Sequence, residues 1–209
     1  MTIRAVVFDV FGTLAYLGER RYPFRALQAL MQANGRPKQP TDAVRIMTNN
    51  VGLAGAATLL GSDLSLRDIS PLELDLQAEL ESTRLFPESE RVLRELRARG
   101  LRLGICSNLA APYATPVRLL LPFALDAYTW SFEASVLKPN PEAYASVCSK
   151  LSCSPEDVLM IGDTPEADFY GPRAFGMQSL LLDRNLAGSQ EYTLTDLADL
   201  PARLESYAG

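Results

Sequence analysis

The sequence predicts an α/β fold, a doubly wound and Rossmann-like parallel sheet with a mostly helical cap inserted after the first strand. Three observations carry this. Four short runs, "AVVFDV" (5–10), "RLGICSN" (102–108), "DVLMIGD" (157–163) and "QSLLLD" (178–183), are apolar and closed by polar or turn residues. Such runs suit strands buried on both faces, as in a parallel sheet. Amphipathic segments that open with proline lie between them, and the stretch 16–84 shows helical periodicity with no convincing buried strand.

The first run delivers Asp9 to a glycine-threonine turn, "VVFDVFGTL". "FRALQALMQANG" and "PLELDLQAELEST" in the inserted stretch predict helices, and the small residues of "NNVGLAGAATLLG" suit close packing between helices better than a flexible strip. In "PESERVLRELRARG", Pro87 marks a start, Val92, Leu93 and Leu96 share one face, and Gly100 is a stop. Trp130, in "LLLPFALDAYTW", is expected to pack in the core or at a domain boundary. "NPEAYASVCSKL" and "TPEADFYGPRAFG" repeat the proline-start pattern, with Pro172 ending or kinking the second. Strand-helix-strand units of this kind wind right-handedly into one sheet. Residues 1–15 and 85–209 are therefore expected to form the sheet domain, with 16–84 lying over the carboxyl ends of its strands, where open α/β sheets bind ligands.

The 209 residues are 47% hydrophobic and 22% charged, with a formal net charge of -5. That balance points to neither nucleic acid nor an anionic membrane, and an anionic substrate would need a local positive site. Cys106, Cys148 and Cys153 form no CxxC pair and are expected to be buried thiols in a reducing compartment. The start "MTIR" carries neither the flank of a signal peptide nor a membrane span, so the expected setting is the cytoplasm. Histidine is absent, which excludes Ser-His, Cys-His and histidine-zinc chemistry.

Chemistry must then come from carboxylates, lysine, hydroxyls and backbone, and the strand ends supply them. Asp9 closes the first run, Ser107 and Asn108 the second and Asp163 the third, while Lys138 stands on the loop "VLKPNPEAY" stiffened by Pro139 and Pro141. An aspartate can attack phosphorus or carbon and form a covalent intermediate. Gly12 allows close backbone approach to an anion, Ser107 with N–H groups can cradle its oxygens, and Lys138 supplies a compact positive charge. Asp163 brought beside Asp9 would repel it unless a hard cation sat between them, and Mg²⁺ is the usual choice beside phosphate oxygens.

This pattern resembles the haloacid dehalogenase superfamily, in its branch with a helical cap. "FDVFGTL", "ICSN", "LKPNPEAY" and "MIGDTPEAD" are similar to its four motifs. The resemblance implies Asp9 as nucleophile, Thr13 and Ser107 as hydrogen-bonding supports, and Lys138 as the cation. It implies a metal held by Asp9, the Phe11 backbone carbonyl and Asp163, with Asp168 as a second candidate acid or an exposed helix residue. A small anionic metabolite is the expected substrate, taken by a monomer or homodimer.

In the superfamily's phosphatases the position of Phe11 normally holds an aspartate that protonates the leaving alcohol and then activates water. A phenylalanine can do neither, and a positioned acid or base contributes about 10²- to 10⁴-fold in rate, or roughly 3 to 5 kcal/mol. Three readings follow. Mg²⁺-dependent phosphate chemistry suits Asp163, Lys138 and the "GDxxxxD" spacing, provided the leaving group is good or its proton comes from elsewhere. L-2-haloacid dehalogenation suits Phe11, because halide leaves without a proton. The resemblance sets against it a serine in place of Asp163 and a tryptophan-arginine stretch in the cap, although Arg20, Arg21 and Arg25 are near the first motif. The third reading is a weakly active or inactive descendant.

Overall fold

The computed structural model describes residues 2–186, 188 and 191–205. In chain order it contains β1 (Ala5–Phe8), β2 (Ala15–Leu17), α1 (Pro23–Ala33), α2 (Asp42–Met47), α3 (Leu53–Leu59), α4 (Leu66–Glu81) and β3 (Thr83–Leu85). There follow α5 (Ser89–Ala98), β4 (Arg102–Ser107), α6 (Ala114–Leu120), β5 (Ala127–Trp130), α7 (Ser131–Ala134) and α8 (Pro141–Leu151). The last elements are β6 (Val158–Gly162), α9 (Gly171–Phe175), β7 (Gln178–Leu182), β8 (Thr193–Leu194) and α10 (Leu200–Glu205).

Six strands form one sheet in the order β5-β4-β1-β6-β7-β8, and every neighbouring pair is parallel. Strand β1 lies in the middle, with Ala5 opposite both Arg102 and Val158. Its side chains alternate between two cores. Val6 and Phe8 join Val92, Leu96 and Trp130 on one face, and Ala5 and Val7 join Tyr144, Val147 and Met160 on the other. All four residues of β1 are fully buried, which explains why the run is apolar throughout rather than alternating. Burying Val or Phe side chains at about 1.5–3 kcal/mol each fixes this strand against slippage, and with it the residue that follows.

All four expected strands are present, and the sheet adds β5 and β8. The "AYTW" of β5 is a mixed edge segment and β8 has two residues, so neither produces an apolar run. Trp130 is fully buried, as core packing requires. The segment after β6 begins as a π-helical turn, Pro165–Tyr170, and changes to an α-helix at Gly171, with Pro172 in the first turn of α9 where no N–H is needed.

Within 16–84, α1, α3 and α4 pack around Leu27, Met31, Leu53, Ala56, Ile69 and Leu76. Helix α4 starts at Leu66, upstream of Pro71, because Ser65 and Asp68 form a reciprocal capping box. The stretch also contains strand structure that its sequence did not signal: β2 and β3 pair antiparallel, Leu17 with Thr83 and Ala15 with Leu85, drawing its two ends together. Each is three residues long with one buried position, too little for a pattern. No helix among the described residues is long and apolar enough to cross a membrane.

Candidate active site

Parallel strands end on one edge, so the residues after β1, β4 and β6 meet there. The Asp9 N–H donates to the Ile161 carbonyl at 2.8 Å, carrying the β1–β6 ladder as far as the carboxylate. Asn108 clamps the Lys138 main chain from both sides: its Nδ2 donates to the Lys138 carbonyl and its Oδ1 accepts the Lys138 N–H, each at 2.8 Å. A carboxamide satisfies a donor and an acceptor together in this way, and it fixes a loop that carries a buried ammonium.

The Lys138 Nζ donates to Asp9 Oδ1 at 2.9 Å and to Asp168 Oδ1 at 2.5 Å. The second oxygen of Asp168 accepts the Thr164 N–H at 3.0 Å. Asp168 is 1% exposed, so its alternative placement as an exposed helix residue is ruled out. Asp168 lies within the π-helical turn Pro165–Tyr170. Burial opposes the charge on Lys138, but Asp9 and Asp168 together hold its pKa above the ordinary lysine range. Asp163 stands exposed at the rim, and partial desolvation and then the Asp9 charge push its pKa up. One carboxylate oxygen from each of Asp9, Asp163 and Asp168 lies within 4.8 Å of the others. Three acids facing one ammonium leave excess negative charge, which a hard cation with oxygen ligands would balance.

Two glycines make this crowding possible. Gly12 has φ +90, and a Cβ there would lie 1.9 Å from Asp163 Oδ2. A Cβ on Gly162 would lie 2.2 Å from Asp168 Cγ. Gly12 is therefore needed for a close approach of the carboxylate as well as for its backbone. Gly162 was not singled out in the sequence, although its place just before Asp163 at a strand end is the signal that could have found it.

A cavity of about 350 Å³ is lined by Asp9, Phe11, Gly12, Ser107, Asn108, Lys138, Asp163 and Asp168, together with Arg20. Thr13 does not line it: its side chain is buried, and its Oγ1 has no hydrogen-bond partner among the described residues. Thr13 follows the turn at Gly12, and its N–H donates to the Val10 carbonyl at 3.1 Å. Of the three arginines near the first motif, Arg20 reaches the cavity, Arg21 pairs with Glu19 and Asp75, and Arg25 lies over the Tyr22 ring. Glu79 and Tyr113 were not legible as site neighbours. The Tyr113 hydroxyl donates to Glu79 Oε1 at 2.7 Å, and its ring meets Phe11 edge-on at 5.8 Å. All three cysteines are free, and burial pushes the Cys106 thiol up to about 12, leaving no thiolate at neutral pH.

The family model for haloacid dehalogenase-like hydrolases matches residues 3–176. The phosphoserine phosphatase of Thermus thermophilus is 30% identical over 116 residues, covering 54% of this chain and 46% of that protein. The glyceraldehyde 3-phosphate phosphatase of Methanothermobacter thermautotrophicus is 23% identical over 201 residues, 90% of this chain and 89% of that one. The chain thus spans about half the length of the first relative and nearly all of the second. Among solved structures, the L-2-haloacid dehalogenase of Xanthobacter autotrophicus with chloropropionic acid covalently bound superposes with a TM-score of 0.64 at 20% identity, covering 98% of this chain and 99% of that one. That likeness is one of fold.

Proposed function

The chain belongs to the haloacid dehalogenase-like hydrolases, and from that premise we propose that Asp9 is the nucleophile of a Mg²⁺-dependent phosphate-ester hydrolase or phosphoryl transferase acting on a small anionic metabolite. The observation that carries this is Asp163 gathered beside Asp9 and the buried Lys138–Asp168 pair. An uncompensated acid at that rim would repel phosphate and haloacid alike, whereas Mg²⁺ turns it into part of a phosphate site. The phosphatase names of the two relatives support the same choice. Residues 16–84 would serve as the cap over residues 1–15 and 85–209, bringing Arg20 to the cavity edge.

Lys138 holds one oxygen of Asp9 and orients the carboxylate. An Asp9 oxygen attacks phosphorus, and the bond to the ester oxygen breaks with its electron pair on the leaving group. Water then cleaves the aspartyl phosphate and returns the pair to Asp9. Ser107, Asn108 and the backbone at Gly12 line the space for the phosphoryl oxygens. Asp168, with both oxygens engaged, positions Lys138. The residues that would hold the ion are Asp9, Asp163 and, on the family resemblance, the Phe11 carbonyl; Mg²⁺ there supplies positive charge against the phosphate oxygens.

Phe11 favours a second reading, 2-haloacid dehalogenation, in which halide departs without a proton and the Phe11–Tyr113 wall helps exclude water. A paired assay separates the two: phosphate release with Mg²⁺, and halide release from 2-haloacids with chelator, on wild type and Asp9→Asn. Phosphate release lost in Asp9→Asn is the expected result. Halide release that survives chelation would overturn the assignment, and full phosphate release by Asp9→Asn would remove the covalent step.

A further inference from the structure

Beside the polar cavity lies a second, of about 320 Å³, and Phe11 and Arg20 line both. Its walls are Phe24, Ile46, Met47, Leu109, Ala110 and Tyr113. Of its polar members, Glu79 is engaged, accepting from the Tyr113 hydroxyl at 2.7 Å, from the Arg21 N–H at 2.5 Å and from the Tyr22 N–H at 2.8 Å, and Arg20 stands at the edge shared with the polar cavity. A hydroxylated leaving group placed against the apolar walls, away from Arg20, would leave its polar groups unpaired, whereas an apolar ring would not.

A second observation limits the occupant independently. Of the two side chains that line both cavities, Phe11 has no proton to give a departing oxygen, and the Arg20 guanidinium keeps its own. An aryl oxide departs without one, because its conjugate phenol is far more acidic than an alcohol. We propose that the second cavity holds the leaving group of the substrate and that this group is aromatic, so that the protein acts on aryl phosphate monoesters. The inference rests on the phosphate reading above and names the substrate class for that site. The Asp9–phosphorus bond forms as the phosphorus–aryl-oxygen bond breaks, the electron pair stays on the aryl oxygen, and the phenoxide takes its proton from solvent after release. The ring lies against Phe11 and Tyr113, already edge-on to each other, where a third aromatic group extends the packing.

The test uses Ala43, an exposed residue of α2 that lines the second cavity and not the first. Calorimetry with Mg²⁺ compares 1-naphthylmethylphosphonate with methylphosphonate, and turnover compares 2-naphthyl phosphate with acetyl phosphate. Wild type should bind the naphthyl compound at least about tenfold more tightly than methylphosphonate, and Ala43→Trp should erase that advantage. Methylphosphonate, which carries no leaving group into the second cavity, should bind Ala43→Trp within about twofold of wild type. Equal wild-type affinities, or naphthyl binding unmoved by Ala43→Trp, would overturn the inference while Asp9-dependent acetyl phosphate hydrolysis kept the phosphate reading intact. Selective naphthylmethylphosphonate binding without phosphate release from any ester would support the aromatic cavity and sink the catalytic reading.

Discussion

Replacing Phe11 by aspartate should change how the rate depends on the leaving group. In the wild type a departing alkoxide receives no proton from position 11, so the rate should fall steeply as the leaving alcohol becomes less acidic. Phe11 lines the polar cavity that also contains Asp9, so a carboxyl at the same backbone position enters that cavity. A positioned acid contributes about 10²- to 10⁴-fold, and that is the gain expected for alkyl phosphates in Phe11→Asp. The same change removes the Phe11 ring from its 5.8 Å edge contact with Tyr113. A bound aryl group would also lose the Phe11 ring as its neighbour, and at about 0.5–1.5 kcal/mol for such an aromatic contact aryl esters should weaken up to roughly tenfold. Phosphate release measured across esters of graded leaving-group acidity gives the slope for both proteins, with thermal unfolding as a control for the altered packing. A wild-type slope near zero would refute the reasoning, because some other group would then be supplying the proton. An unchanged slope in Phe11→Asp would show that position 11 does not face the departing oxygen.

Gly12→Ala places a methyl 1.9 Å from the present Asp163 Oδ2 at φ +90; displacing that carboxylate by an ångström should cost about 10²-fold in kcat/KM, and activity within threefold of wild type would show that Asp163 is not needed in place. Asp168→Asn keeps a group beside Lys138 but removes the charge, so kcat should fall about 10- to 100-fold while circular dichroism stays native; an unchanged kcat would mean that Lys138 needs no orienting partner. Between α1 and α2, the Arg36 guanidinium grips the fully buried Asp42 and holds its carboxyl at about 2. Its folded value lies below the unfolded one, so this pair stabilises the protein fully above about pH 4 and stops doing so as pH falls through about 2. Allowing for a partly solvated Arg36, the contribution is about 1–2 kcal/mol; urea unfolding of wild type and Asp42→Asn should differ by that much at neutral pH and converge near pH 2, and a constant gap would contradict it.

The sheet was legible wherever a strand is buried on both faces, because that environment admits only apolar residues: β1, β4, β6 and β7 could be read from their letters. Strands β2, β3, β5 and β8 are short or lie at edges, and their pairing partners, not their own composition, make them strands. Asp9, Asn108, Lys138 and Asp163 could be named because strand ends and proline-bounded loops leave a mark in the chain. Thr13 looked equally placed but turns into the interior with its hydroxyl unpartnered. Asp168 could be read as buried or exposed, since a π-helical turn and an α-helix share the same local sequence. Local pattern in the chain set the apolar strands, the polar groups at their ends and the phenylalanine two residues after Asp9. Tertiary structure alone decided the Lys138–Asp168 contact, the 1.9 Å constraint at Gly12 and the apolar cavity behind Phe11. Each of these depends on residues far apart in the chain, whose separation in space is set only when the whole molecule packs.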